Sequence, residues 1–340
     1  MGGGVPREGS GLYITAMIRL LSVRTALLAG LVAAGISACT AALGFGSEVT
    51  EVSVVVLSFD PRLPGRGAPT LRKETGGSDP RDLADSLRSA AWDLSLRKVA
   101  YRIVDWRSID AFPPTVRSPG HDTESYRACL DGSGGCPELT ADIPAILERY
   151  GMAPLIDRHI ADEVWIFAGP HLGVDGAAGA GPGAVVIDDV YPDVAAARPF
   201  TVMGFSYAQG MTDVLHTLCR RVERTVGEAL RETAEGAAAW ARFTATAGGP
   251  GTPGVGTCDT PPNATEPFVY DSPDPVTSTA PAWFAYPEQS DATQQVSAAV
   301  WNGPDYRRSY LRWWFQHIPH TQRTPQPQPP ANWWPLAFGR

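Results

Sequence analysis

Residues 48–59 read EVTEVSVVVLSF, an almost unbroken run of β-branched and apolar side chains. A run of that kind has the pattern of a strand covered on both faces, as in a sheet with helices above and below it. Downstream, a Pro/Gly loop reaches residue 78. Asp79 then stands at an N-cap position, Pro80 at the first helical position, and Asp82 places an acid in the first turn. Leu83, Leu87, Ala91 and Leu94 recur at helical spacing, which predicts an amphipathic helix over 80–97. VAYRIVDW, 99–106, is the next strand. Strand, helix and strand in that order make a βαβ unit. The expected class is therefore α/β, with a mixed, partly parallel central sheet flanked by helices.

Further along, TADIPAILERYG (140–151) predicts a short helix entered through Thr140, and DEVWIFAGP (162–170) a strand closed by a Gly-Pro turn. GAAGAGPGA (176–184) reads as irregular, a connection or a mobile flap. AVVID (184–188) and RPFTVMGF (198–205) are strand-like. The longest helix is expected over 207–232, with Met211, Leu215, Leu218, Val222, Val226 and Ala229 as its apolar stripe. After residue 246 the chain fills with Pro, Gly and Thr. Six of the ten tryptophans fall within 281–340, so this stretch is expected to form an irregular, aromatic-rich layer (246–340) on the 51–245 domain rather than a disordered tail. A short helix near 304–316 lies within it.

An apolar fraction of 44% with 19% charged residues is that of a globular chain, and a net charge of −8 argues against a nucleic-acid partner. The N-terminus carries an address. From Met17, Arg19 and Arg24 form a basic segment, Thr25 to Gly35 an uncharged apolar one, and Ile36-Ser37-Ala38 leads into Cys39. This is the pattern of a signal peptide over 1–38. Its end resembles a bacterial lipobox, which implies a diacylglyceryl group on Cys39, a tether over 39–50, and a membrane partner reached through lipid. Residues 1–16 fit neither segment, so Met17 is the expected start. Ordinary secretion and a retained apolar anchor are the alternatives. The expected location is extracytoplasmic, on the cell envelope.

Setting Cys39 aside leaves four cysteines, an even number in an oxidising compartment. Cys129 and Cys136 flank LDGSGG, a short loop that a disulfide closes readily, leaving Cys219 for Cys258. Free thiols are the rival expectation.

The candidate sites start from MTDVLHTLCRRVERT, 211–225. His216, Arg220 and Glu223 line one helical stripe. A zinc helix needs imidazoles at i and i+4, but Arg220 holds the second position, and a guanidinium has no lone pair to give. Pairing of Arg220 with Glu223 at i+3 is the plain expectation. His171, at the end of a strand, and His317, in WWFQHIPH with His320, are the other possible ligands. No cofactor is expected, and zinc enters only if His216 and Glu223 join His171 or His317 in a metal-dependent hydrolase. Ser206 in GFSYAQG sits between strand and helix, but Ala208 occupies the second glycine position of a nucleophile elbow. Trp283, Trp313, Trp314, Trp333 and Trp334 are candidate contacts for a glycan, weighed against packing in a coil-rich layer.

DEVWIFAGP, RPFTVMGFSYAQG with LHTLCRRVE, PPNA, WFAYP and the WW pairs together resemble a group of uncharacterised secreted bacterial and fungal proteins, over roughly residues 50–335. In that group the helix reads His-x3-His-Arg-x-Glu. His216, Arg221 and Glu223 match; Arg220 stands where the group has His, and Cys219 where it has a small residue. If the group binds a metal there, the resemblance implies that this chain has lost it. The functional expectation is an envelope lipoprotein, non-catalytic or site-degenerate, that binds an envelope glycan or peptide.

Overall fold

The computed structural model describes Met1 and residues 49–63, 67–116, 122–134, 136, 139–288, 290–321 and 330–339. The expected signal peptide, lipidated Cys39 and most of the tether lie outside the described residues. Val49–Arg340 is one compact unit. In chain order it contains β1 (Thr50–Phe59), α1 (Leu71–Thr75), α2 (Pro80–Leu94), β2 (Val99–Ile109), α3 (Thr123–Leu130), α4 (Ile143–Arg149) and α5 (Ala153–Asp157). There follow β3 (Glu163–Ala168), β4 (Gly176–Ala180), β5 (Asp189–Tyr191), β6 (Phe200–Ser206), α6 (Met211–Leu230) and α7 (Ala234–Phe243). The last part holds β7 (Val276–Ser278), a 3-10 turn at Ala280–Ala285, β8 (Gln294–Val296), α8 (Tyr306–Gln316) and a 3-10 turn at Leu336–Phe338.

The fold is α/β. Its sheet runs β2-β1-β3-β6-β4-β5. The four strands from β2 to β6 are parallel, and β4 reverses against β6. β1 is buried at every position but Glu51, as its unbroken apolar run requires. Asp79 caps α2 by accepting from the Arg81 amide. The helix ends at Leu94 rather than 97 because Leu96 and Arg97 take positive φ of 52° and 67°. There the Ser95 hydroxyl accepts from the Lys98 and Val99 amides and turns the chain into β2. α4 is entered through Asp142, not Thr140; the Asp142 carboxylate accepts from the Ala145 amide.

Two expectations fail around residue 180. GAAGAGPGA is no flap, since Gly176–Ala180 forms β4, and AVVID is not a strand. The side chains explain both. A Cβ on Gly179 would lie 2.1 Å from the Val185 carbonyl oxygen, so the small residues of β4 let the 184–187 segment cross directly over the strand. That segment cannot pair as a strand itself, and pairing resumes at Asp189. α6 begins at Met211, after Gly210, and not at 207.

The polar centre of the core joins three distant segments. Glu163 opens β3 at 1% side-chain exposure, and Arg221 of α6 is 4% exposed. Arg221 Nε donates to Glu163 Oε1 at 2.9 Å, and its two terminal nitrogens reach Glu163 and the Ala337 carbonyl. Trp165 Nε1 donates to Glu163 Oε2 at 3.2 Å, and the Phe338 ring lies 4.2 Å from the guanidinium carbon. The aromatic layer has a ring cluster of its own. Trp333 packs among Trp240, Phe243, Trp283 and Tyr286 with ring centroids 5.2–5.9 Å apart.

Removing one partner of a buried pair leaves an uncompensated charge. Glu163→Gln is therefore expected to lower the unfolding free energy by about 3–5 kcal/mol in urea titration. Glu163→Leu combined with Arg221→Met should recover most of that loss. A single variant with native stability would show that the pair holds nothing together.

Candidate functional site

The polar stripe of α6 faces a strap formed by residues 255–260. The Cys219–Cys258 disulfide, with Cα atoms 5.9 Å apart, fixes the strap to the helix. The second disulfide joins Cys129 to Cys136. Bonds of this kind persist in oxidising compartments. Glu223 accepts from the Cys258 amide at 3.0 Å. From the far side Tyr310 Oη donates to the Thr257 carbonyl at 2.6 Å and Trp314 Nε1 to the Gly256 carbonyl at 3.0 Å. Gly256 is obligatory here. Its φ is 84°, and a Cβ would lie 2.5 Å from the Thr260 carbonyl oxygen.

The strap delivers Asp259 to α6. His216 Nε2 lies 2.6 Å from Asp259 Oδ1, and Arg220 donates to Asp259 Oδ2. The same guanidinium reaches Asp188 Oδ1 through Nε at 3.0 Å and Nη2 at 2.8 Å. Asp188 Oδ2 in turn accepts from the Ala177 amide of β4 at 2.9 Å. Arg220 is thus not the partner of Glu223; it bridges two aspartates from distant segments at 20% side-chain exposure. Burial alone would raise the Asp259 carboxyl, but the hydrogen bond with His216 and the charge of Arg220 outweigh it and hold the group below the usual carboxylate range. Burial dominates at Glu223 and raises it, against the hydrogen bond from Cys258.

The four proposed metal ligands are not brought together. Among the described residues, the one group of three metal-type side chains with ligand atoms within 4.8 Å of one another is Cys129, Cys136 and His171. His216 meets Asp259, and Glu223 meets the strap backbone. His317 sits in the aromatic layer, 4% exposed, with ring centroids 4.2 Å from Trp313 and 4.6 Å from Phe284. Its Nδ1 lies 2.7 Å from the Trp313 carbonyl oxygen. Ser206 accepts at Oγ from the Ala208 amide.

The usual ligand crevice of an open α/β sheet lies at the carboxyl ends of the strands, where the strand order reverses. Here, at the carboxyl end of β3, Leu71 and Tyr207 pack tightly against Gly169. A Cβ on Gly169 would lie 2.5 Å from Leu71 Cδ2 and 2.9 Å from the Tyr207 hydroxyl. The five candidate sugar-stacking tryptophans, Trp283, Trp313, Trp314, Trp333 and Trp334, are each at most 8% exposed. Their faces pack against one another and against neighbouring rings, and none is an open platform. What the aromatic layer does leave open is a groove of about 500 Å³ beside Trp283 and Tyr286. Arg242, Glu288, Asp291, Thr252 and Thr293 line it. A larger cavity, about 560 Å³, lies over Glu163 and Arg221, whose polar atoms are already engaged with each other.

Asp188 and Asp259, the partners of Arg220, were not found by sequence reasoning. They lie 32 and 39 residues from it, and no periodicity links them. No family model, curated protein or solved structure matches the chain.

Burial drives the His317 pKa down to about 4, against its hydrogen bond with Trp313. An unfolded imidazole titrates near 6.5, so between these values the unfolded chain binds more protons than the folded one. Stability is fully present above that window and falls as the pH drops through it. The expected loss by pH 4.5 is about 2–3 kcal/mol. Urea titrations at pH 7 and 4.5 should show His317→Gln losing less stability than the native chain by about that amount; equal losses would contradict it.

Proposed function

We propose that the chain is a lipid-anchored protein on the extracytoplasmic face of the cell envelope, one that holds a fragment of the envelope without catalysing chemistry on it. The observation that carries the non-catalytic half is the position of Arg220. Its guanidinium is seated between Asp188 and Asp259, beside His216, where a metal centre on α6 would need a second imidazole. A permanent cation there repels a divalent ion and donates no lone pair. The rival reading, a hydrolase using His216 and Glu223, requires Arg220 to leave both aspartates and Glu223 to leave the Cys258 amide.

The groove beside Trp283 and Tyr286 supports the binding half. It offers a cation at Arg242, carboxylates at Glu288 and Asp291, and the threonines Thr252 and Thr293, a set suited to a short peptide or glycan that carries both charges and hydroxyls. Soluble peptidoglycan fragments are the direct probe. Isothermal titration should give saturable binding, and Arg242→Ala or Asp291→Asn should each weaken it by about tenfold, the equivalent of one charge-assisted hydrogen bond. Heat signals that do not saturate, or binding unchanged in both variants, would rule the groove out as the binding site. Separate titrations with the stem peptide and the glycan strand tell which part is held.

The anchor follows from the Cys39 pattern, and the disulfides support an oxidising location. No helix among the described residues is long and apolar enough to cross a membrane. Cys39→Ala should move the protein from the detergent-extracted membrane fraction into the medium, or leave it unprocessed. Unchanged mature mass and location would count against lipidation.

A further inference from the structure

β3 leaves the sheet through Gly169 and Pro170 and reaches His171, which takes a left-handed φ of 57°. Few residues with a side chain take that conformation, histidine among the more frequent of them. The turn brings the imidazole to the Cys129–Cys136 disulfide. A ring nitrogen and the two sulfurs lie within 4.8 Å of one another. Cys129 is buried near the end of α3, whereas Cys136 and His171 are exposed. Tyr126, one turn earlier on α3, donates from its hydroxyl to the Pro170 carbonyl at 2.6 Å, and so ties the cysteine-bearing helix to the histidine-bearing turn.

Two sulfurs and one imidazole are the donor set of a zinc-class ion. As a disulfide the sulfurs carry no thiolate charge and the set is closed. The sequence between them, LDGSGG, is short and glycine-rich. The two Cα atoms are 4.7 Å apart, close enough for both thiolates to sit at about 2.3 Å from one ion. Access favours this bridge over the other: Cys219 and Cys258 are both fully buried, while Cys136 is open to an incoming thiol.

We propose that Cys129, Cys136 and His171 form a redox-gated site for a zinc-class ion, closed as the disulfide and open as the dithiol. The reductant is a dithiol. Its thiolate attacks the Cys136 sulfur, the Cys129–Cys136 bond breaks, and Cys129 leaves as a thiolate. The second thiol of the reductant then displaces Cys136 and forms the reductant's own disulfide. Two electrons pass to the chain, and the two protons of the reductant end on Cys129 and Cys136. The ion replaces those protons, which go to solvent, takes a lone pair from His171, and keeps water at the fourth tetrahedral position.

The test uses the full chain, oxidised and after mild phosphine reduction without denaturant. Alkylation and peptide mapping verify that Cys129 and Cys136 are the thiols released. In competition with a chromophoric chelator, the reduced chain should bind one zinc that the oxidised chain does not. Cobalt(II) should give a thiolate charge-transfer band. His171→Ala should weaken zinc binding at least tenfold and alter the cobalt spectrum, while Cys129 and Cys136 are released as before. Equal zinc binding by the reduced and oxidised chains overturns the proposal, as does an unaltered affinity and spectrum in His171→Ala. Loss of near-ultraviolet circular dichroism on reduction that zinc does not restore also counts against it.

Discussion

The contact between Glu163 and Arg221 fixes the rest of the molecule. Two charges at 1% and 4% exposure have lost their hydration, a cost of several kcal/mol per ion unless the site supplies other partners. It supplies them from everywhere: Trp165 on β3, the Ala337 carbonyl at the C-terminal turn, and the Phe338 ring over the guanidinium. The pair therefore sets how α6 is rotated against the sheet, and it draws the last described residues onto the same helix. With Arg221 pointing into the core, the neighbouring stripe of His216, Arg220 and Glu223 must face the 255–260 strap.

That rotation decides what the stripe can do. Each of its polar groups meets a partner brought in by a different part of the chain: Asp259 and the Cys258 amide from the strap, Asp188 from the segment after β4. The helix has the residue types of a metal centre and spends them on a clasp between the sheet domain and its aromatic layer. The disulfide at Cys219 reinforces the same junction. The tryptophans serve it as well, since coil-rich chain has no regular face to bury and large rings supply the apolar area instead.

The parts legible in the sequence are those with local causes. The β1 run, the Asp79-Pro80 start of α2 and the apolar stripe of α6 each follow from neighbours within a few turns. The disulfide pairing followed from loop closure. The sequence misled where tertiary contact overrode local pattern. Gly176–Ala180 looked too small and flexible for a strand, yet its small side chains are what let another segment cross above it. Spacing alone pairs Arg220 with Glu223, the nearest opposite charge at i+3; the structure gives it aspartates 32 and 39 residues away. His171 followed a strand end, and its location was legible, but its disulfide neighbour was not. The short α3, α5 and α7 carried too little periodicity to stand out.

Metal analysis of the oxidised native protein beside Arg220→His, after equilibration with zinc, measures whether the guanidinium excludes an ion from α6. The native α6 cluster should retain no zinc against a mild chelator. Exchanging the guanidinium for an imidazole beside His216 and Asp259 should create measurable retention. Stoichiometric zinc in the oxidised native chain, abolished by His216→Ala, would contradict that exclusion.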